Sequence, residues 1–224
     1  MFKNTFYTEF RLSGTKETKN ERNYIYNRMY DFASAAKDNS LMEIGLESGY
    51  FDTDQFEDGE EFYNGCYGYL NDSCLDDDYI AFYTETYTAP GVGFIDAMIN
   101  AIVNDYNFNI DDGTLNFDKL AEDCKWEFTI QSADEDFFAT NMDEVADSYC
   151  IWVLQSNEIL DGSIYEASEK IVKNVLIEAL GKDGYDIDIE KLLEEYNNSD
   201  VSNDILIRKY DYIEDIEELE EMFC

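Results

Sequence analysis

Between Thr5 and Leu12 the side chains alternate, with Phe6, Phe10 and Leu12 on one side and Tyr7, Glu9 and Arg11 on the other, as in a half-buried strand. Thr18 and Glu21 then stand at capping-box spacing, and Ile25, Met29, Phe32 and Ala36 recur at helical intervals, which predicts a helix over about 19 to 37. From Leu41 to Leu70 five glycines (Gly45, Gly49, Gly59, Gly65 and Gly68) break up short aromatic pieces such as Tyr50-Phe51 and Phe62-Tyr63. That punctuation reads as short strands and turns.

Tyr79 to Thr88 is a second β-rich run, closed by the Pro90-Gly91 turn, after which Phe94, Ile95, Met98, Ile99, Ile102 and Val103 mark an amphipathic helix. Asp112-Gly113 is a turn signal, and Lys125 to Gln131 alternates with Trp126, Phe128 and Ile130 inward. A short helix capped by Ser132 and Glu135 is expected before a strand near Tyr149 to Leu154. Ser163 and Glu166 have capping-box spacing and open a helix carrying Ile164, Ala167, Ile171, Val175 and Leu176, stopped by Gly181. Helical pieces follow at Ile189 to Tyr196 and Tyr212 to Met222, the latter with Ile213, Ile216 and Leu219 on one stripe.

These elements assemble into an α+β fold, an antiparallel or mixed sheet covered by amphipathic helices, with a helical C-terminal region. The expected division is a strongly acidic α+β domain over residues 1–159 and a helical acidic region over 160–224 packed upon it. The 224 residues, 45% apolar and 16% aromatic, suffice for a real core.

Charge changes the picture. Asp and Glu number 52 against 15 Lys and Arg, a net of -37. Residues 1–37 hold seven basic and four acidic side chains, whereas 38–224 hold 48 acidic and 8 basic, and no Lys or Arg lies between Lys37 and Lys119 or between Lys125 and Lys170. Surfaces that solvate themselves with ion pairs alternate sign, so one-signed stretches call for cations from outside the chain. Direct binding of nucleic acid is excluded, because it rests on Lys and Arg neutralising phosphates, and anionic membranes repel such a surface. The absence of histidine removes every His-containing triad and zinc site. Five cysteines without a C-x-x-C pair, and no apolar leader, suit a reducing cytoplasm.

Catalytic and metal motifs fail on spacing. From Asp52 a calcium loop would place Phe56 at its fifth position and Gly59 two residues late, and Asn107, Asn109, Asp111, Gly113 and Asp118 miss the register by one. The phosphatase-like Asp52-x-Asp54 lacks the apolar strand that must precede it. Asp123-Cys-Lys125 with Asp111 and Asp112 loosely matches the acid-acid-lysine set of metal-dependent nucleases, yet the chain would repel its substrate. No phosphate-cradling loop or nucleophile elbow is present. Neither a catalytic residue nor a cofactor or metal is assigned.

What remains is binding. A folded chain of this length is roughly 45 Å across, and duplex of that span carries about 26 charges, the same order as this protein's net charge. In composition the chain resembles the small acidic anti-restriction and anti-CRISPR proteins of phages and mobile elements. That resemblance implies a nucleic-acid mimic in the host cytoplasm, whose partner is a basic nucleic-acid-binding protein such as a defence nuclease or its complex. The expected contact residues lie where no basic residue dilutes them in sequence: Asp52, Asp54, Glu57, Asp58, Glu60 and Glu61; then Asp76, Asp77 and Asp78; and Glu214, Asp215, Glu217 and Glu218 of the last helix. An acidic immunity or regulatory protein that neutralises a basic toxin or enzyme is the alternative, and a salt-adapted enzyme a third.

Overall fold

Strand β1 (Thr5–Ser13) is the axis of the fold, because both of its edges are paired. A computed structural model describes residues 4–52, 65–110, 112–154, 159–160, 166–182, 188–214 and 216–222. β3 (Tyr79–Tyr87) and β4 (Lys125–Ser132) flank β1 antiparallel in a register that sets Phe10 opposite both Phe82 and Phe128. All three rings are at most 1% exposed. Each such ring contributes roughly 1.5–3 kcal/mol of apolar burial, so this row fixes both the register and the inward face.

β2 (Gly68–Leu75), β5 (Phe137–Thr140) and β9 (Asp211–Tyr212) complete the sheet in the order β2-β3-β1-β4-β5-β9, in which only the β5–β9 pair is parallel. The backbone of β2 approaches β3 so closely that a Cβ on Gly68 would lie 2.0 Å from the Glu85 carbonyl oxygen. Helices α1 (Lys19–Ala35) and α3 (Val92–Asp105) cover the inward face. α1 contributes Ile25, Met29 and Phe32, and α3 contributes Phe94, Ile95, Met98, Ile99 and Ile102, as their helical spacing predicts.

A second sheet, β7-β6-β8, joins β6 (Tyr149–Val153) to β7 (Glu166–Ala167) and β8 (Ile205–Lys209), all antiparallel. α6 (Glu169–Ala179) and α7 (Ile189–Asn197) close a separate core over it through Val172, Val175, Leu176, Leu192 and Tyr196. Phe138, Met142, Val145, Cys150 and Tyr210 form a third cluster that joins the two sheets. The outcome is the expected α+β fold with a helical C-terminal region, with β7, β8 and β9 threaded between its helices.

Several local expectations differ from the structure, each for a physical reason. Leu41–Ser48 is a helix, α2, because Leu41, Ile44 and Gly45 share one buried face and Gly49, at a φ of 70°, ends it in the left-handed region. Thr18 does not cap α1. Its hydroxyl donates to the Thr15 carbonyl at 3.2 Å, while Glu21 accepts the Asn116 N–H at 2.9 Å just ahead of α4 (Phe117–Asp123). Ser132 accepts the Glu135 N–H at 3.3 Å inside the β4–β5 turn, and the short helix falls later, at α5 (Asp143–Ala146). Glu166 and Ala167 are a strand, so α6 begins after Ser168 and its buried stripe runs through Val172, with Ile171 exposed. Tyr212 belongs to β9, and the last helix is confined to α8 (Ile216–Glu221). Phe62-Tyr63 and Ser163 lie outside the described residues. Among the described residues no helix is long and apolar enough to cross a membrane.

Candidate partner-binding surface

The Asp76–Asp78 turn is built by its neighbours. The Asp76 N–H donates to the Tyr79 carbonyl at 2.9 Å, the Asp78 N–H donates to the Asp76 carboxylate at 3.2 Å, and the Gly14 N–H donates to the Asp78 carbonyl at 2.8 Å. From below, the buried Arg22 guanidinium donates to the Asp77 carbonyl at 2.7 Å, to Thr15 O at 3.0 Å and to Thr18 Oγ1 at 2.7 Å. All three aspartates are exposed, on a backbone that is tied down. No cation is near them in sequence, but in space Lys19 pairs with Asp77 and holds its carboxyl below the usual range. Among the described residues Asp76 and Asp78 carry no such partner.

The other expected contact residues are spread out. Asp52 is exposed three residues beyond Gly49, while Asp54, Glu57, Asp58, Glu60, Glu61 and Asp215 lie outside the described residues. Glu214 and Glu218 are exposed, and Glu217 is on α8, which the buried Ile213 and Leu219 pin against the main core. This cluster follows β9, at the opposite edge of the sheet from β2. One cluster is thus on the β2–β3 turn and the other runs from the end of β9 onto α8.

Nine of the fourteen described cations are spent internally, while Lys16, Lys37, Lys125, Lys170 and Lys191 are exposed. Arg11 pairs with Glu9 and Glu144, Lys119 with Glu17, Lys173 with Glu169, Lys182 with Glu195, Arg208 with Asp136, and Lys209 with Asp147. Arg22 is 1% exposed and serves carbonyl and hydroxyl oxygens. Arg28 donates to Tyr50 and lies 4.7 Å from the centre of the Phe32 ring.

One acidic convergence is invisible along the chain. The Arg11 guanidinium donates to Glu9 Oε1 from Nε at 3.2 Å and from Nη2 at 2.8 Å, stands 3.6 Å from Glu144, and lies over the Tyr79 ring at 4.5 Å. Burial opposes its charge, but the bond and charge of Glu9, with Glu127 nearby, hold its pKa above the ordinary value. Glu166 arrives from β7, more than 150 positions away, and its carboxyl is raised first by burial and then by the charge of Glu9. Between the outer face of the large sheet and β7 opens a cavity of about 300 Å³ whose lining includes Tyr7, Glu9, Asn71, Tyr83, Gln131 and Glu166. Tyr83 donates to Glu9 at 3.3 Å, and burial with that carboxylate lifts the phenol to about 12. The only sequence trace of this site is that Glu9, Arg11 and Glu127 occupy outward positions of alternating strands. The β1–β4 pairing and the position of β7 had no local signal.

Of the motifs weighed for metal chemistry, Asp54 and Asp111 lie outside the described residues, and Asp112 and Cys124 have partners of their own. Asp112 accepts the Thr114 hydroxyl at 2.6 Å, the Tyr106 hydroxyl at 2.5 Å and the Thr114 N–H at 3.0 Å, which keeps its carboxyl low and shapes the turn at Gly113. Cys124, between Asp123 and Lys125, donates to Thr18 at 3.3 Å. Among the described residues no three metal-ligating side chains converge. No known family model matches the chain, and neither a curated protein nor a solved structure is detectably similar to it.

Proposed function

We propose that this protein is an acidic inhibitor that occupies the nucleic-acid-binding groove of a basic protein, a defence nuclease or its complex, by presenting carboxylates in place of phosphates. The observation that carries this reading is the separation of charges. The cations are largely turned inward to carbonyls or held in ion pairs, while Asp76, Asp78, Glu214 and Glu218 stay exposed on structured elements. Preorganised carboxylates bind a basic groove without an ordering cost, and the cations they meet come from the partner.

The test is competition. Labelled DNA or guide RNA bound to a candidate nuclease is challenged with increasing amounts of this protein, and mutual exclusion is the expected result. If protein and nucleic acid occupy the target together, the decoy mechanism is wrong. The regulator that neutralises a basic enzyme at another surface then takes its place.

A further inference from the structure

We propose that the cleft between the large sheet and β7 is a receptor for one arginine side chain of the basic partner, gripped by Glu9 and Glu166 and walled by Tyr7 and Tyr83. This deepens the function proposed above by naming a subsite and the group it accepts. Three observations carry it. The first is space: the cavity of about 300 Å³ lies at the lower end of the range for sites that take small groups, and both carboxylates and both tyrosines line it.

The second is unspent bonding capacity. Arg11 Nε, Arg11 Nη2 and the Tyr83 hydroxyl all donate to the same Glu9 oxygen, Oε1, and among the described residues nothing donates to Oε2. Glu166 accepts no hydrogen bond among the described residues and has no ion pair there. The third is charge: Glu9, Glu127, Glu144 and Glu166 surround Arg11, four carboxylates to one guanidinium. Glu166 is exposed at the rim of the cleft, and partial burial of its carboxyl with the charge of Glu9 raises its proton affinity, so a second cation in the cleft relieves a repulsion already present.

A guanidinium suits this lining better than a metal ion. Its planar fork offers five donors to two separated carboxylates and its faces stack on aromatic rings, whereas a metal ion needs several oxygens converging on one point. Gln131 adds an amide beside the carboxylates.

The experiment uses the purified protein and N-acetyl-Gly-Arg-Gly-amide, with the citrulline tripeptide as the neutral isostere, followed by NMR titration at low and physiological salt. The arginine peptide is expected to saturate one site in the millimolar range, and the citrulline peptide to bind at least tenfold more weakly. Glu166→Gln should weaken the arginine peptide at least fivefold and Glu166→Ala at least as much, while Glu47→Gln, exposed on α2 at the opposite face of the sheet, should change it less than twofold. Melting curves establish that each variant is folded. Equal binding of both peptides, equal loss in Glu166→Gln and Glu47→Gln, or tighter binding of calcium than of the arginine peptide at the same residues would overturn the receptor. No target protein is involved, so failure here leaves the competition result standing, and failure of competition leaves the receptor standing.

Discussion

Arg22 Nη2 donates to the main-chain carbonyl of Asp77 at 2.7 Å, so a buried cation holds an acidic turn by its backbone and leaves the carboxylate to Lys19 at the surface. A Cβ on Gly14 would lie 2.4 Å from Arg22 Nη1 and 2.5 Å from Cys124 Sγ, which shows how little room surrounds the guanidinium. Replacing Arg22 with methionine keeps the stem but strands the Asp77 carbonyl, at about 1–3 kcal/mol for a buried unsatisfied group, and removes one bond each from Thr15 and Thr18, which keep their bond to each other. Urea unfolding of Arg22→Met should show a loss of ~3 kcal/mol, and Gly14→Ala a loss of similar size. A change below 1 kcal/mol in both would mean that water reaches this pocket.

Salt should stabilise the fold. The exposed ion pairs are each worth roughly 0–1 kcal/mol and weaken with salt, but repulsion at a net charge of -37 is screened at the same time. Repulsion is long-ranged and acts between many more pairs, so it wins. The melting temperature is expected to rise between 20 and 150 mM sodium chloride. A fall would place the carboxylates in stabilising pairs and weaken the case for an external cationic partner.

Alkaline pH should destabilise the fold through buried phenols. Burial raises Tyr196 to about 12 and Tyr210, which also faces Cys150, higher still. A phenol whose folded value lies above the unfolded value of about 10 contributes stability that is complete below pH 10 and is lost as pH rises through the folded value. Unfolding free energy measured from pH 9 to 11.5 should therefore fall less steeply in Tyr210→Phe than in the wild type. At neutral pH that variant loses the bond from Gln131, about 1 kcal/mol. Parallel curves would show that Tyr210 titrates normally.

Thiol reactivity should follow burial. Cys66 and Cys150 are at most 1% exposed, and burial lifts them to about 11 and about 12, whereas Cys74 and Cys124 are half-buried. Iodoacetamide at pH 8 is expected to label Cys74 at least ten times faster than Cys66 or Cys150, with all of them equal in denaturant. Rapid native labelling of Cys150 would mean that the cluster joining the two sheets opens readily.

The core was legible where one period dominates, as in Phe6, Phe10 and Leu12 or along α3, because a buried strand face and a helix stripe leave unambiguous spacings. α2 was not, since the glycines that punctuate Leu41 to Leu70 suggested turns while Gly45 in fact packs on the helix face and Gly49 caps its end. β8 and the two-residue strands β7 and β9 are held by pairing with distant partners and carry too few residues to show a period. The exposed Asp76–Asp78 turn was legible as charge, but Arg22 and Lys19, more than 50 positions away, were not. Nor was the convergence of Glu9, Glu144 and Glu166 on Arg11, which exists only once the β7-β6-β8 sheet is laid against β1.

The Asp76–Asp78 turn offers the sharpest test of the proposed function, because the one carboxylate its backbone uses, that of Asp76 accepting the Asp78 N–H, is replaced by an amide oxygen in Asp76→Asn. Arg22, Gly14 and Tyr79 hold the turn through main-chain atoms, so Asp76→Asn, Asp77→Asn and Asp78→Asn together should leave the fold intact. The Lys19 pair with Asp77 is lost, but it is exposed and contributes little. On a basic target each exposed carboxylate contributes roughly 0–1 kcal/mol, so single substitutions should weaken binding no more than about fivefold and the triple variant by ten- to a hundredfold. The dependence of affinity on salt should flatten in step, since fewer charges are neutralised on binding. The same change in Glu214→Gln, Glu218→Gln should produce a comparable loss if both patches meet the groove. Binding that survives both sets with an unchanged salt slope would mean that the contact lies elsewhere on the surface.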